Sequence, residues 1–328
     1  MKNIAVLPVL VIIFLTFIYV NPVFCQENQE TRKYGFSLGP QFGAVYGQAF
    51  EYVYPTTTKG DLLSELIWDM KPVFYSGLQV DFNRTDLFSG PGFFSSLSIK
   101  AGFPGDSGIM EDRDWDSKEN DALTHFSSHT NRTEEFYWFD AAIGGTFPVG
   151  QLFFVKAFIS GSFMRFSFTG RDGYGVYARK KSDNIYHPIN DDPVLHNFYG
   201  KTVITYEQNW YIISAGGSIG TQLFYPFLFE LSFKTSPFSY CAAKDNHVEK
   251  NTLYLDFSGW GQFIEPELKV LFTQKKYDFS VNIKYRHIGK TKGDSYFNPN
   301  NTGYYMSSNK AGAALSVLDI CFLLKSYF

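Results

Sequence analysis

Apolar and polar residues alternate with a period of two along most of this chain after residue 33. From Phe279 to Arg286 the alternation is strict, and it recurs from Phe227 to Lys234 and from Gly77 to Phe82. Successive side chains of a β-strand point to opposite faces, so this pattern gives each strand one apolar and one polar face. The alternation therefore predicts an all-β chain.

The apolar faces are unusually rich in aromatic residues. The chain holds 35 Phe and 22 Tyr, and only 19% of its residues are charged. Its mean hydropathy is nevertheless slightly negative, at -0.16, and no segment after the N-terminal region offers the roughly 20 apolar residues that a spanning helix needs. A transmembrane β-barrel combines these properties, because its apolar outside and polar inside cancel in the mean. A soluble β-sandwich fits the composition about equally well.

The breaks between extended segments favour the barrel. Short connections such as Pro148 to Gly150 and Gln274 to Lys276 alternate with long polar stretches at 104–133, 174–200 and 291–311. An even number of strands, with short turns at one end and long loops at the other, is the layout of bacterial outer-membrane barrels. The prediction is a ten-stranded antiparallel transmembrane β-barrel with long extracellular loops. Its ten segments are 34–48, 62–82, 93–103, 134–147, 152–172, 201–222, 227–241, 252–272, 278–289 and 312–328.

The N-terminus predicts export. Lys2 precedes an apolar run from Ile4 to Val20, and polar residues follow Cys25. This is the pattern of a secretory signal peptide, residues 1–25, cleaved after Cys25. Two alternatives remain, a retained apolar anchor and a lipidated Cys25. The mature chain, 26–328, is predicted to form a single barrel domain in the outer membrane.

Charge and cysteine content restrict the partners. The net charge is -3 and no basic cluster occurs, which argues against a nucleic-acid partner. The mature chain retains Cys241 and Cys321, which are too few for a disulfide framework, although one bridge remains open.

Two acidic motifs carry candidate chemistry. Asp112 and Asp114 are two residues apart, so both face one side of an extended strand, about 7 Å apart. Asp245 and His247 have the same spacing. A carboxylate beside a histidine fixes its tautomer and raises its basicity, as a general base acting on water requires. Each motif alone is also compatible with an ordinary solvated loop, or with a metal site.

Taken together and in order, the motifs resemble the omptin family of outer-membrane proteases. The acidic motifs match, in sequence, the paired aspartates and the Asp/His dyad of that family, and Asp121 and His125 keep its D-x-x-x-H spacing. Strand-level similarity is weaker and lies at residues 47–54, 64–68 and 165–171.

This resemblance implies an endopeptidase active site in a groove at the extracellular rim. His247, oriented by Asp245, would activate a water against a peptide carbonyl, while Asp112 and Asp114 form the opposite wall. The resemblance implies no metal, covalent intermediate or organic cofactor. It also implies polypeptide substrates cut next to basic residues, and a monomer. The substrate-binding residues it implies are Glu51, Met110 and Asp121.

Two departures from the family pattern affect specificity and lipid binding. Ala243 stands where the family has an acid that recognises a basic side chain, so we expect broader or shifted specificity. Arg165 matches part of a lipopolysaccharide site, but Gly161 and Phe163 replace its polar partners, so the lipid requirement stays open. Two other functions remain as alternatives: a catalytically inactive adhesin or receptor, and a diffusion pore, for which ten strands are too narrow.

Overall fold

The computed structural model describes most of the chain after the predicted signal peptide, at residues 35–55, 61–84, 88, 90–117, 121–180, 185–273 and 277–328. None of these residues forms a helix long and apolar enough to cross a membrane. The predicted signal peptide, with Cys25, lies outside the described residues.

The described residues form β-strands joined by turns and loops. In chain order they are β1 (Gly35–Val53), β2 (Ser64–Arg84), β3 (Gly92–Gly102), β4 (Gly105–Asp114), β5 (His125–Val149), β6 (Phe153–Tyr177), β7 (Val194–Asn197), β8 (Thr202–Phe224), β9 (Phe227–Ser236), β10 (Ser239–His247), β11 (Thr252–Gly259), β12 (Phe263–Thr273), β13 (Tyr277–Ile288), β14 (Lys292–Pro299) and β15 (Tyr305–Tyr327).

These strands close into an antiparallel ring. β1 pairs with β2 on one side and with β15 on the other, so the sheet has no free edge there. Four wall strands are each divided by a short break into two successive segments: β3 and β4, β9 and β10, β11 and β12, and β13 and β14. β7 adds only a short piece beside β6. The ring therefore has ten wall strands, and the predicted ten-stranded antiparallel barrel is confirmed.

The outer wall carries an apolar band. Ile159 and Ile213 are 62% and 76% exposed, and phenylalanines such as Phe42 and Phe322 also face outward. Charged and polar side chains replace them farther along the strands. Exposed tyrosines lie at this boundary, as aromatic residues do at a membrane interface; they are Tyr46, Tyr137, Tyr211, Tyr240 and Tyr285.

Side chains fill the interior. Trp68 stacks between Phe168 and Tyr206, with ring centroids 5.6 and 5.5 Å away, and all three are buried. Below this aromatic layer lie buried ion pairs, including Arg286 with Glu265. Barrels of about this strand number are filled rather than open, and this interior disfavours the diffusion pore.

The three stretches predicted as long loops contain strand residues. Within 104–133, β4 and the first part of β5 pair with each other, and β14 and β15 pair within 291–311. Beyond the membrane the outer face of the barrel wall meets water, so its strands need no apolar outer phase. In sequence, such polar strands resemble loops. Cys241 and Cys321 are both free and buried, so the bridge left open does not form.

Candidate active site

The acidic motifs meet at one end of the barrel, on strands that continue past the tyrosine boundary. Tyr240 and Asp245 lie on the same strand, β10, five residues apart. At about 3.3 Å per residue, and allowing for a strand tilt of about 40°, this places Asp245 about 12 Å beyond Tyr240 along the barrel axis. The candidate site therefore lies outside the membrane-spanning part of the wall.

Asp245 and His247 form a hydrogen-bonded pair. They occupy the inward phase of β10, and Nε2 of His247 lies 2.7 Å from Oδ2 of Asp245. The Asp245 side chain is 2% exposed, whereas that of His247 is 22% exposed at the open end of the barrel, which we call the cleft. The edge of the Tyr254 ring packs against the imidazole, with centroids 5.4 Å apart.

The geometry sets the protonation of His247. Burial lowers the pKa of His247, but the nearby Asp245 carboxylate more than offsets this and raises it above its ordinary value. Because Asp245 accepts the Nε2 proton, Nδ1 is the nitrogen left to accept a proton from a water. This is the arrangement of a general base with an orienting carboxylate.

Asp112 and Asp114 lie on β4, in the phase that faces the interior. Ser64 donates a hydrogen bond to Oδ1 of Asp112, at 3.3 Å. Burial, reinforced by the charge of Asp114, raises the pKa of Asp112 to about 7, while the charge of His247 acts in the opposite direction. Asp112 thus interacts electrostatically with the imidazole, and its proton is easily gained or lost near neutrality.

Glu51 adds a fourth carboxyl to this end of the barrel. It lies on β1 and is 2% exposed. Burial, followed by the charges of Asp245, Asp256 and Asp112, raises its pKa well above the ordinary value. A hydrogen bond also links Glu51 to Asp245, and it favours the protonated form of Glu51.

Sequence reasoning missed Asp256. It lies on β11 directly across from Ala243, and both side chains face inward. Burial raises the pKa of Asp256 to about 7, and a hydrogen bond from Ser295 opposes this rise. The alternation of Leu253, Leu255 and Phe257 with polar residues could have placed Asp256 on the inner face. Its pairing with Ala243 needs the register of the β10–β11 hairpin.

The other predicted site residues lie around this cluster or apart from it. Met110 is 1% exposed and lies in the core beneath Asp112. Asp121 is exposed in the connection from β4 to β5. Arg165 lies on the outer wall, where Glu135 and Glu207 accept its hydrogen bonds at 2.6 and 2.9 Å. The structure therefore brings Glu51, the paired aspartates and the Asp245–His247 pair together. Arg165 lies apart from them, on the outer face of the barrel.

Within the described ranges, no group of three or more His, Cys, Asp or Glu side chains has a geometry that could hold a metal ion. The cluster at the rim is instead a set of carboxyls around one histidine.

The fold and the rim cluster define the class of protein: a closed β-barrel of the outer-membrane type, with an acid–histidine cluster on its extramembrane end. The sequence model of the Omptin family matches residues 32–326. The chain therefore belongs to the Omptin family, as the order of its acidic motifs predicted.

Comparison with solved structures shows one with the same fold. The crystal structure of the outer membrane protease OmpT from Escherichia coli is similar with a TM-score of 0.77 at 18% identity, over 92% of this chain and 99% of that chain. The toluene transporter TodX of P. putida matches weakly, with a TM-score of 0.30 at 9% identity over 90% of each chain. The transport unit of the autotransporter AIDA-I from Escherichia coli gives 0.32 at 10% identity, over 93% of this chain and 95% of that chain. No curated protein sequence matches significantly.

Proposed function

We propose that this protein is an outer-membrane endopeptidase that hydrolyses peptide bonds with a water activated by His247. The observation that carries the proposal is the 2.7 Å contact between Asp245 and His247, at the open end of a barrel whose interior is filled below it. Family membership and the OmpT-like fold support a protease at the outer membrane.

The proposed reaction starts with a water between His247 and the paired aspartates. Nδ1 of His247 takes a proton from the water as its oxygen attacks the peptide carbonyl, and the Asp245 carboxylate stabilises the imidazolium that forms. The imidazolium then returns the proton to the departing amine. In this scheme the carboxyl oxygens of Asp112 and Asp114 hold the water from the opposite wall.

Asp112 has a second role in the same step. With a pKa of about 7, its carboxyl is protonated in a substantial fraction of molecules near neutral pH. A protonated carboxyl donates a hydrogen bond, and a donor aimed at the carbonyl oxygen stabilises the charge that develops there. No metal and no organic cofactor take part in the proposed reaction.

The proposed substrates are polypeptides at the cell surface, cut near basic residues. In this proposal Glu51 is the carboxyl inside the cleft that favours a cationic side chain, and the exposed Asp121 would contact residues on the other side of the cut. Met110 supports the floor of this cleft. We propose that the protein acts as a monomer and that Arg165 contacts outer-membrane lipid from the outer wall.

The test is peptide cleavage by the refolded mature barrel in detergent, with and without lipopolysaccharide. His247→Ala removes the proposed base, and Asn246→Ala, on the opposite face of the same strand, is the matched control. We expect the first variant to abolish cleavage, the second to retain it, and chelators to leave it unchanged. A well-folded barrel that cleaves nothing in either lipid condition would contradict the proposal and favour the adhesin or receptor alternative.

A further inference from the structure

Three carboxyl groups inside the rim each have an oxygen without a hydrogen-bond partner. These are Oε2 of Glu51, Oδ1 of Asp245 and Oδ1 of Asp256, and all three are buried. The residues are only 2%, 2% and 7% exposed. Buried carboxylate oxygens are costly unless something satisfies them, so the arrangement calls for a donor that the described residues do not supply.

Asp245 is already engaged with His247, and Glu51 is hydrogen-bonded to Asp245. Asp256 lies one strand away from the pair, on β11, and its carboxyl interacts electrostatically with Asp245 and with Glu51. Its side chain is fixed by the hydrogen bond from Ser295, its neighbour on β14. That bond leaves Oδ1 as the acceptor still available.

Ala243 makes space beside this acceptor. It is the direct cross-strand neighbour of Asp256 on the inner face, and its methyl group is the smallest side chain that β10 could place there apart from glycine. Inward side chains of neighbouring strands are about 5 Å apart at such a pair. A long side chain of a substrate can therefore pass over Ala243 and reach Oδ1 of Asp256.

The donor that fits is a cationic side chain. An ammonium or guanidinium group supplies several N–H donors and the positive charge that clustered carboxyls favour. An aliphatic stem can lie against Ala243, as lysine and arginine stems lie against apolar surface elsewhere. A neutral side chain of the same length would supply no positive charge to favour the ionised form of these carboxyls.

We infer that Asp256 is a specificity-determining residue, which together with Glu51 selects a substrate with an arginine or lysine side chain at the site beside His247. This inference rests on the proposed function. It differs from the expectation drawn from Ala243 alone, because on this inference the preference for basic residues is retained. The acid is present on the neighbouring strand.

The experiment compares two peptides that differ at a single side chain. One carries a single Arg among neutral residues, and the other carries citrulline at that position, which keeps the shape and removes the charge. The ratio of their kcat/KM values is measured, and mass spectrometry locates the cut. The variant is Asp256→Asn, and Asp294→Asn, one strand along on β14, is the control for loss of one negative charge.

We expect the unmodified protein to prefer the Arg peptide, and Asp256→Asn to lower that preference about 10-fold or more. Cleavage of the citrulline peptide should persist in the variant, which also shows that the variant is folded. Asp294→Asn should leave the ratio unchanged. The double variant A243D/D256A moves the carboxyl from β11 to the facing position on β10 and should restore most of the preference for the Arg peptide.

The outcomes separate the two proposals. Equal cleavage of both peptides by the unmodified protein, or an unchanged ratio in Asp256→Asn, overturns the role of Asp256 and leaves the protease intact. Failure of the folded, unmodified protein to cleave either peptide overturns the protease and this inference together.

Discussion

Replacing Asp245 by Asn tests the proposed base directly. The carboxylate accepts the Nε2 proton of His247 over 2.7 Å and is almost completely buried. An asparagine can instead donate an N–H to Nε2, which moves the ring proton to Nδ1 and blocks the nitrogen that faces the water. If its amide oxygen accepts the proton, the tautomer survives but the negative charge that stabilises the imidazolium is lost.

Both effects weaken the transition state. Loss of the carboxylate that fixes a catalytic imidazole costs about 10⁴ in rate in the serine proteases. We expect a fall of about 10³ to 10⁴ in kcat, which corresponds to about 4 to 5.5 kcal/mol of barrier at about 1.36 kcal/mol per factor of ten. The folded state should not suffer, since Asp245 is one of three crowded carboxyls and its removal relieves the repulsion that raises the pKa of Glu51.

The assay is continuous cleavage of a quenched fluorescent peptide, with thermal unfolding measured on the same preparation. Asn246→Ala serves as the control, because it lies between the two site residues and points to the outer face. If Asp245→Asn retained more than about a tenth of the activity, the tautomer argument would be refuted.

Three further predictions follow from the structure. Activity should fall as the pH drops through the raised pKa of His247, because the imidazole then gains a proton and cannot act as a base. Asp112→Asn removes a charge that raises the pKa of His247 and should move this fall to lower pH; a flat kcat/KM profile would contradict both. Trp68→Ala should destabilise the barrel by about 3–5 kcal/mol, since the ring is fully buried, whereas Trp260→Ala, at 77% exposed, should cost far less; unfolding midpoints in detergent would show the difference. Arg165→Ala should reduce any stimulation by lipopolysaccharide without changing cleavage in its absence, while Arg132→Ala, also on a surface ion pair, should change neither; equal stimulation of both variants would remove Arg165 from lipid binding.

The membrane-spanning part of the barrel was predictable from sequence, because lipid on one side and a packed interior on the other impose strict alternation. The β13 segment around Phe279 was recognised for this reason. The alternation fades beyond the membrane, so the sequence pattern of β4 and β14 resembles that of loops. Polar residues on both faces of a segment do not by themselves indicate a loop.

The candidate site was predictable only where two partners lie close in sequence. Asp245 and His247 are two residues apart, so one strand brings them together. Glu51 was placed in the cleft through the family resemblance. Asp256 was missed because its position depends on which residue of β11 pairs with Ala243, and the hairpin between them fixes that register.

The aromatic layer of Trp68, Phe168 and Tyr206 closes the barrel just beneath the proposed site. A peptide therefore cannot be threaded through the protein, and both fragments must leave by the opening through which the substrate entered. Long substrates can be cut only at segments flexible enough to bend down into the rim and out again. A folded substrate domain would therefore be cut only in its flexible ends. No cleavage product would cross the membrane through this barrel.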